Sequence, residues 1–243
     1  AYFGKIPFFL KPALKWLLER LRQWDLESNK GVDHFIANSQ NVRGRIRNFY
    51  GRDAEVIYPP LDTECFSFNK EEAKGDYYLV VSAFVPYKRV DVVIEAFNQL
   101  DRKLLIVGSG PLEARYKQLR KRESIFFLGP VTDSRLRDLY AGARALIFPT
   151  EEDFGIVPLE AQACGTPVIA YAKGGALESV KSGLFFAEQT PEAIRQAVEE
   201  FEKQVFDRGE IRQKVLFFDK SSFKEQIQNH ITRILEESDA FSH

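Results

Sequence analysis

Two glutamates, Glu152 and Glu160, stand eight positions apart in a run from Thr150 to Val168. Between them Phe154-Gly155 reads as the turn that opens a helix, with Pro158 in its first turn, and Gly165 closes it. Proline suits a first turn, whose N–H groups have no intrahelical partner anyway. Glycine is the usual residue past a helix end. The exposed N–H groups after Gly155, with the helix dipole behind them, favour an anion above the helix start. Glu160, one turn in, can accept hydrogen bonds from hydroxyls. Phosphate acceptance beside sugar-hydroxyl acceptance points to a nucleotide-sugar site.

A second group of residues offers the opposite charge. Lys88 and Arg89 join an apolar strand ending near Ser82 to a helix that starts at Val90. Cations at that edge can neutralise a departing diphosphate, a task otherwise given to a metal. The plain alternative is a solvated basic pair at a helix start. Gly108 and Gly110 follow the next strand, and glycine lets a backbone approach a ligand closely. They lack the third glycine of the dinucleotide fingerprint, which disfavours NAD. Here a structural and a ligand-contacting role both stand. After the third strand comes Gly129-Pro130-Val131, readable as a plain strand-to-helix turn with Asp133 as its cap.

These residues need a frame that brings them together. Apolar runs at residues 78–82, 103–107, 125–128, 145–148, 167–170 and 183–186 read as buried strands. Helical patterns lie between them at 90–100, 112–121, 133–142, 156–164 and 176–180. Short apolar strands alternating with helices predict an α/β fold, a Rossmann-like doubly wound parallel sheet covered on both faces. Ligands of such sheets bind outside the carboxyl ends of the strands, where the candidate residues cluster at 82–89, 108–111, 129–131, 149–155 and 174–175. Residues 190–204, 207–218 and 221–237 read as three closing helices, the first opened by Thr190-Pro191. Ahead of Tyr77 the expected elements are an amphipathic helix at 12–24, a strand at 32–37, a helix ending near Tyr50-Gly51 and a strand at 54–58. Pro59-Pro60 stops that strand, and 61–75 reads as a linker.

With 34 basic and 35 acidic residues among 243, no broad field invites nucleic acid. The two cysteines, Cys65 and Cys164, make no disulfide framework, and no Cys/His cluster has metal spacing. A reducing cytoplasm fits. No apolar run approaches the roughly 20 residues that cross a bilayer, and no signal-peptide pattern appears. The chain starts with Ala and contains no Met, so a processed or excised piece is expected.

The glutamate pair with Phe154-Gly155 inside, then Ala163-Cys164-Gly165 and the strand from Thr166 to Ala170, resembles the donor motif of retaining glycosyltransferases with two Rossmann-like domains (family 4, the GT-B fold). The resemblance covers about residues 32–187. It implies a donor-binding C-terminal domain that transfers a hexose from a nucleotide-diphosphate sugar, with retention, to a glycan or lipid-linked acceptor. It makes Lys88 and Glu152 the catalytic pair, one on the diphosphate and one on a donor sugar hydroxyl. It places Arg89, Gly108, Gly110, Val131, Phe154, Gly155, Ile156, Val157 and Glu160 around the donor. Val131 would pack on the base, Glu160 would accept from the ribose, and Gly174-Gly175 would form a flexible loop near the sugar. No metal or cofactor is implied, the substrate being GDP-mannose or a UDP-sugar. In the family an Arg stands five residues before the Lys, and here that position holds Ala83; Arg89 is the candidate for the second charge.

Phe35 to Ser39, Tyr50-Gly51-Arg52 and Val56 to Asp62 are similar to the exit of the first domain in a mannosyltransferase-like subgroup. Residues 1–62 are therefore expected to be a remnant of the acceptor domain plus linker, and 63–243 the donor domain with its closing helices. Without the rest of the acceptor domain, the chain is expected to be inactive alone. His34, His230 and His243 match no family motif and read as surface or packing histidines. The first 30 residues mix Phe8, Phe9, Leu14, Trp16, Leu17 and Leu21 with Lys5, Lys11, Lys15, Arg20 and Arg22. That segment suits either a helix of the absent domain, the favoured reading, or peripheral contact at the inner face of a membrane. Two other functions share the fold. One is a nonenzymatic nucleotide-sugar-binding module, which Ala83 keeps open. The other is a nucleotide-sugar epimerase, against which the glutamate pair speaks.

Overall fold

The computed structural model describes residues 7–69 and 75–240, the side chains of 238–240 excepted. Lys5 and His243 lie outside the described residues. The chain divides into two units between Val56 and Ile57.

The smaller unit holds α1 (Lys11–Ser28), β1 (Ile36–Ala37), α2 (Gln40–Tyr50) and β2 (Glu55–Val56). Ser39 caps α2 by accepting from the Val42 N–H at 3.0 Å, and Gly51 ends it with φ 65°. β1 and β2 pair in parallel through two residues each, much less than the strands expected at 32–37 and 54–58. Among the described residues of this unit each has only the other as a neighbour, and a lone two-strand ladder is marginal. Ala37, Ile46 and Ala54 form the small core. Asp53 binds both Arg43 and Arg47 in forked pairs at 2.8–3.0 Å. α1 buries none of its side chains, and Phe8, Phe9, Trp16, Leu21 and Trp24 are exposed. No helix among the described residues is long and apolar enough to cross a membrane.

The larger unit is a six-stranded, all-parallel sheet. Its strands are β3 (Tyr78–Val81), β4 (Leu104–Val107), β5 (Ile125–Gly129), β6 (Ala145–Phe148), β7 (Val168–Tyr171) and β8 (Gly183–Phe186), ordered β5-β4-β3-β6-β7-β8. Each lies within one residue of its expected bounds. Successive strand residues face opposite ways. Leu79, Leu105, Leu146 and Val168 enter one core, and Tyr78, Val80, Leu104 and Ile147 enter the other. Helices cover both faces: α3 (Val90–Phe97), α4 (Glu113–Leu119), α5 (Asp133–Gly142), α6 (Ile156–Ala163), α7 (Ala176–Ser179) and α8 (Pro191–Phe201). The region expected as one helix at 207–218 is split into α9 (Arg208–Gln213) and a 3-10 turn at Leu216–Phe218, before α10 (Lys220–Ala240). α5 is capped by Thr132, not Asp133, because Asp133 is already the first helical residue.

The segment after Pro60 is packed rather than a free linker as far as Asn69; residues 70–74 lie outside the described residues. The Leu61 N–H donates to the Phe218 carbonyl at 2.7 Å. Arg212 donates to the Thr63, Phe66 and Ala163 carbonyls at 2.6–2.8 Å. Phe66 sets its ring edge on Tyr140, 6.0 Å between centroids. Tyr58 stacks on Phe154 at 5.3 Å. Residues 57–62 therefore belong with the larger unit, which puts the division ahead of Asp62.

Candidate functional site

The strand order reverses between β3 and β6, and a crevice at such a reversal is where open parallel sheets take ligands. The loops leaving those two strands carry Lys88 and Glu152. Lys88 Nζ and Glu152 Oε1 form an ion pair, the two side chains 18% and 24% exposed. The Tyr87 ring centroid lies 5.2 Å from the same Nζ. The Thr150 hydroxyl donates to the Tyr87 carbonyl at 3.3 Å, tying one loop to the other.

α6 begins beside this pair. Gly155 precedes it with φ 95° and ψ 83°, and no side chain caps the helix. Its first-turn N–H groups are therefore not met by a local acceptor side chain, and anions are stabilised at such an end. Ile156 is exposed, whereas Val157 is half-buried against the core. Phe154, expected among the donor contacts, has its side chain in the core. The residue is 3% exposed and its ring packs on Tyr58 and Phe218, which holds the loop down.

A third loop closes on the second. Glu152 and Gly174 form a parallel bridge, and the Gly175 N–H donates to the Glu152 carbonyl at 2.7 Å. A Cβ on Gly174 would lie 2.5 Å from that carbonyl, and one on Gly175 would lie 2.2 Å from Phe154 Cα. The glycine pair, expected as a flexible loop, is thus explained by close approach of two backbones. Glu178 accepts from the Tyr58 hydroxyl at 3.1 Å.

Glu160 lies one turn into α6 and accepts from the Tyr140 hydroxyl at 2.9 Å. Burial raises its pKa above the ordinary 4.5; Tyr140 pulls it back down, and Asp133 pushes it up again. Asp133 opens α5 two residues after Val131, so Glu160 shares its surroundings with the β5–α5 loop. Val131 itself is half-buried against the core. A carboxyl whose folded pKa exceeds its unfolded one favours the fold most below the unfolded value. That contribution is lost as pH rises through the folded pKa. Tyr140→Phe removes the bond that favours the charged form, so the Glu160 pKa should rise further. The variant should lose about 1–3 kcal/mol at pH 8, where the carboxylate is left without its donor. It should lose less near pH 4.5. Urea unfolding at both pH values, with carboxyl NMR of Glu160, measures this.

Arg89, expected to supply the second charge, has its side chain engaged within the protein. Its guanidinium donates to Gln189, through Oε1 at 3.3 Å and the carbonyl at 3.2 Å. Gly108 and Gly110 also have an internal reason. A Cβ on Gly108 (φ 131°) would fall 1.9 Å from the Ser82 carbonyl oxygen, and one on Gly110 (φ 152°) 2.8 Å from Phe84 N and O. Four residues passed over in the sequence hold the site: Tyr140, Thr150, Gln189 and Gln162. The buried Gln162 amide donates to Pro158 and Ser179 carbonyls and accepts from Lys181 and Ser182 N–H groups, all within 2.7–3.0 Å. A glutamine between alanines on an apolar helix was the available signal. Cys164 is a buried thiol whose pKa burial pushes up to about 12. Among the described residues, no three His, Cys, Asp or Glu side chains are grouped to hold a metal ion.

A family model described as "Glycosyl transferases group 1" matches residues 62–216. The chain is 31% identical over 184 residues to the D-inositol 3-phosphate glycosyltransferase of Gordonia bronchialis, covering 63% of this chain and 40% of that protein. It is 30% identical over 186 residues to the Frankia alni protein of the same name, covering 63% and 46%. The chain thus spans less than half the length of these curated relatives. Among solved structures, sucrose-phosphate synthase from Thermosynechococcus elongatus superposes with a TM-score of 0.79 at 21% identity, over 90% of this chain and 62% of that one. Anabaena HepE in complex with UDP and glucose gives 0.73 at 22%, over 87% and 66%. At these identities the likeness is one of fold.

Proposed function

Because this chain belongs to the group 1 glycosyl transferases, we propose that it holds the donor site of a retaining hexosyltransferase that uses a nucleoside diphosphate sugar. The observation that carries the proposal is the Lys88–Glu152 pair at the strand-order reversal, beside the uncapped start of α6. Lys88 and the N–H groups after Gly155 would take the diphosphate and hold the charge that develops as it leaves. Glu152 would then accept from a hydroxyl of the hexose, whose transition state is oxocarbenium-like. Glu160, beside the β5–α5 loop, would accept from the ribose, with Val131 near the base. Ile156 and Val157 would contribute through their backbones, and no metal is assigned a step.

The hexose and the base belong to the same proposal. Similarity of residues 32–62 to a mannosyltransferase-like subgroup favours mannose from GDP. HepE, complexed with UDP and glucose, favours a UDP-sugar. The acceptor would be a hydroxyl of a glycan or lipid-linked molecule, brought by a further domain. Ala83, standing where the resemblance calls for an arginine, supports a second reading as a module that binds donor without turnover.

Calorimetric titration with UDP, UDP-glucose, GDP and GDP-mannose, EDTA present throughout, tests the donor site. Saturable binding of one base family is the expected result. Silence from all four, both in this chain and in Ala83→Arg, would overturn the assignment.

A further inference from the structure

We infer that Gln189 is a positioning residue for Lys88, acting through Arg89; its bearing on catalysis rests on the proposal that Lys88 takes the diphosphate. Among the described residues Arg89 is the only one besides glycines with positive φ, at 53°. Such a backbone is unfavourable for a side chain with a Cβ, so it persists only where the surroundings hold it. The surroundings here come mainly from Gln189, in the loop between β8 and α8. It takes the Arg89 guanidinium on its side-chain oxygen and its carbonyl. Its amide nitrogen donates to the Pro149 carbonyl at 2.7 Å, at the end of β6. Asp91 adds a carboxylate 3.6 Å from the same guanidinium.

One neutral side chain therefore joins the loops after β3, β6 and β8. Lys88 lies between two fixed neighbours. The Tyr87 carbonyl is held by Thr150, and Arg89 is held by Gln189. Its ammonium ends on Glu152, two residues past Thr150. The path closes on itself: Gln189 to Arg89, Lys88, Glu152, Thr150, Pro149 and back to Gln189. Truncating Gln189 removes the side-chain acceptor for Arg89 and the donor to Pro149 while leaving the backbone acceptor, which loosens Arg89 and lets the Lys88 stem move off Glu152. Gln189 carries no charge, so its removal changes the aim of Lys88 without changing the field around it.

The test is competitive acylation of lysines with acetic anhydride on this chain, read by mass spectrometry. Lys173, 59% exposed at its side chain, serves as internal reference. Lys88, 18% exposed and paired, should label more slowly than Lys173 in the wild type. In Gln189→Ala its relative rate should rise about three- to tenfold, as expected for loss of a hydrogen-bonded constraint. Gln189→Glu keeps the acceptor for Arg89 but gives up the donor to the Pro149 carbonyl, so its Lys88 rate should fall between wild type and alanine; it also serves if the alanine variant does not fold. A folded Gln189→Ala with unchanged Lys88 labelling overturns the inference, as does a Gln189→Glu variant that labels Lys88 like the wild type. Titration of the same variants with UDP and GDP separates the two layers. Released Lys88 with weakened nucleotide binding supports both. Released Lys88 with unchanged binding keeps the positioning role and rejects Lys88 as the diphosphate ligand.

Discussion

Lys88→Ala is expected to lower affinity for a nucleoside diphosphate by about 10- to 100-fold, the usual effect of losing hydrogen bonds between charged groups. Two effects act in the same direction. The ammonium is lost as a ligand, and Glu152 is left as an uncompensated carboxylate at the place where the diphosphate would lie. Glu152→Gln should act oppositely on the free nucleotide. The amide no longer competes for Lys88 and no longer repels the anion, so UDP or GDP should bind about two- to fivefold tighter, the scale of a partly exposed ion pair. The sugar nucleotide should lose that advantage, since the amide is a poorer acceptor for a hexose hydroxyl. Isothermal calorimetry on the two variants, with nucleotide and sugar nucleotide side by side, reads both signs. Equal weakening of every ligand by Glu152→Gln would assign Glu152 to holding the loop rather than to the sugar.

Gly108→Ala is expected to be the most damaging single methyl near the site. The added carbon would sit 1.9 Å from the Ser82 oxygen at φ 131°, so β4 and the β3–α3 loop would have to part. Overpacking combined with a disallowed backbone should cost about 3 kcal/mol. In a unit of this size that lowers Tm by roughly 6–12 °C. Gly129→Ala is the control. Its φ of 70° is also left-handed, but nothing lies within 4 Å of the added carbon. Only the backbone preference, about 1–2 kcal/mol, should be lost. Calorimetric melting of both variants separates close approach from conformational preference. Near-equal losses would mean that Ser82 yields easily.

The alternation of strands and helices was readable because each buried strand is a short apolar run bounded by turn residues, from Tyr78 to Phe186. The proximity of Lys88 to Glu152 was readable for a similar reason. Both leave carboxyl ends of strands, and parallel topology puts those ends on one edge. What escaped depends on contacts between distant residues. Nothing near Phe154 announces that Tyr58 and Phe218 will cover it. Arg89 looks like a free cation until Gln189, a hundred positions away, is brought beside it. Gly108 and Gly174 look like places for a ligand because glycine near a strand end serves equally for a phosphate or for another backbone. The two-residue length of β1 and β2 goes with their having no further strand to pair with among the described residues, which local propensity does not encode.

Both tryptophans of the chain, Trp16 and Trp24, lie in α1, 63% and 66% exposed. Every indole of the chain therefore lies in the smaller unit, and the larger unit has none of its own. A red-shifted spectrum is expected from the folded chain, and its change on heating or in urea would report the surroundings of α1. A ligand bound in the larger unit finds no indole in that unit to quench. A single indole at Ile156, exposed at the start of α6, with Trp16 and Trp24 changed to Phe, would give the crevice a light of its own.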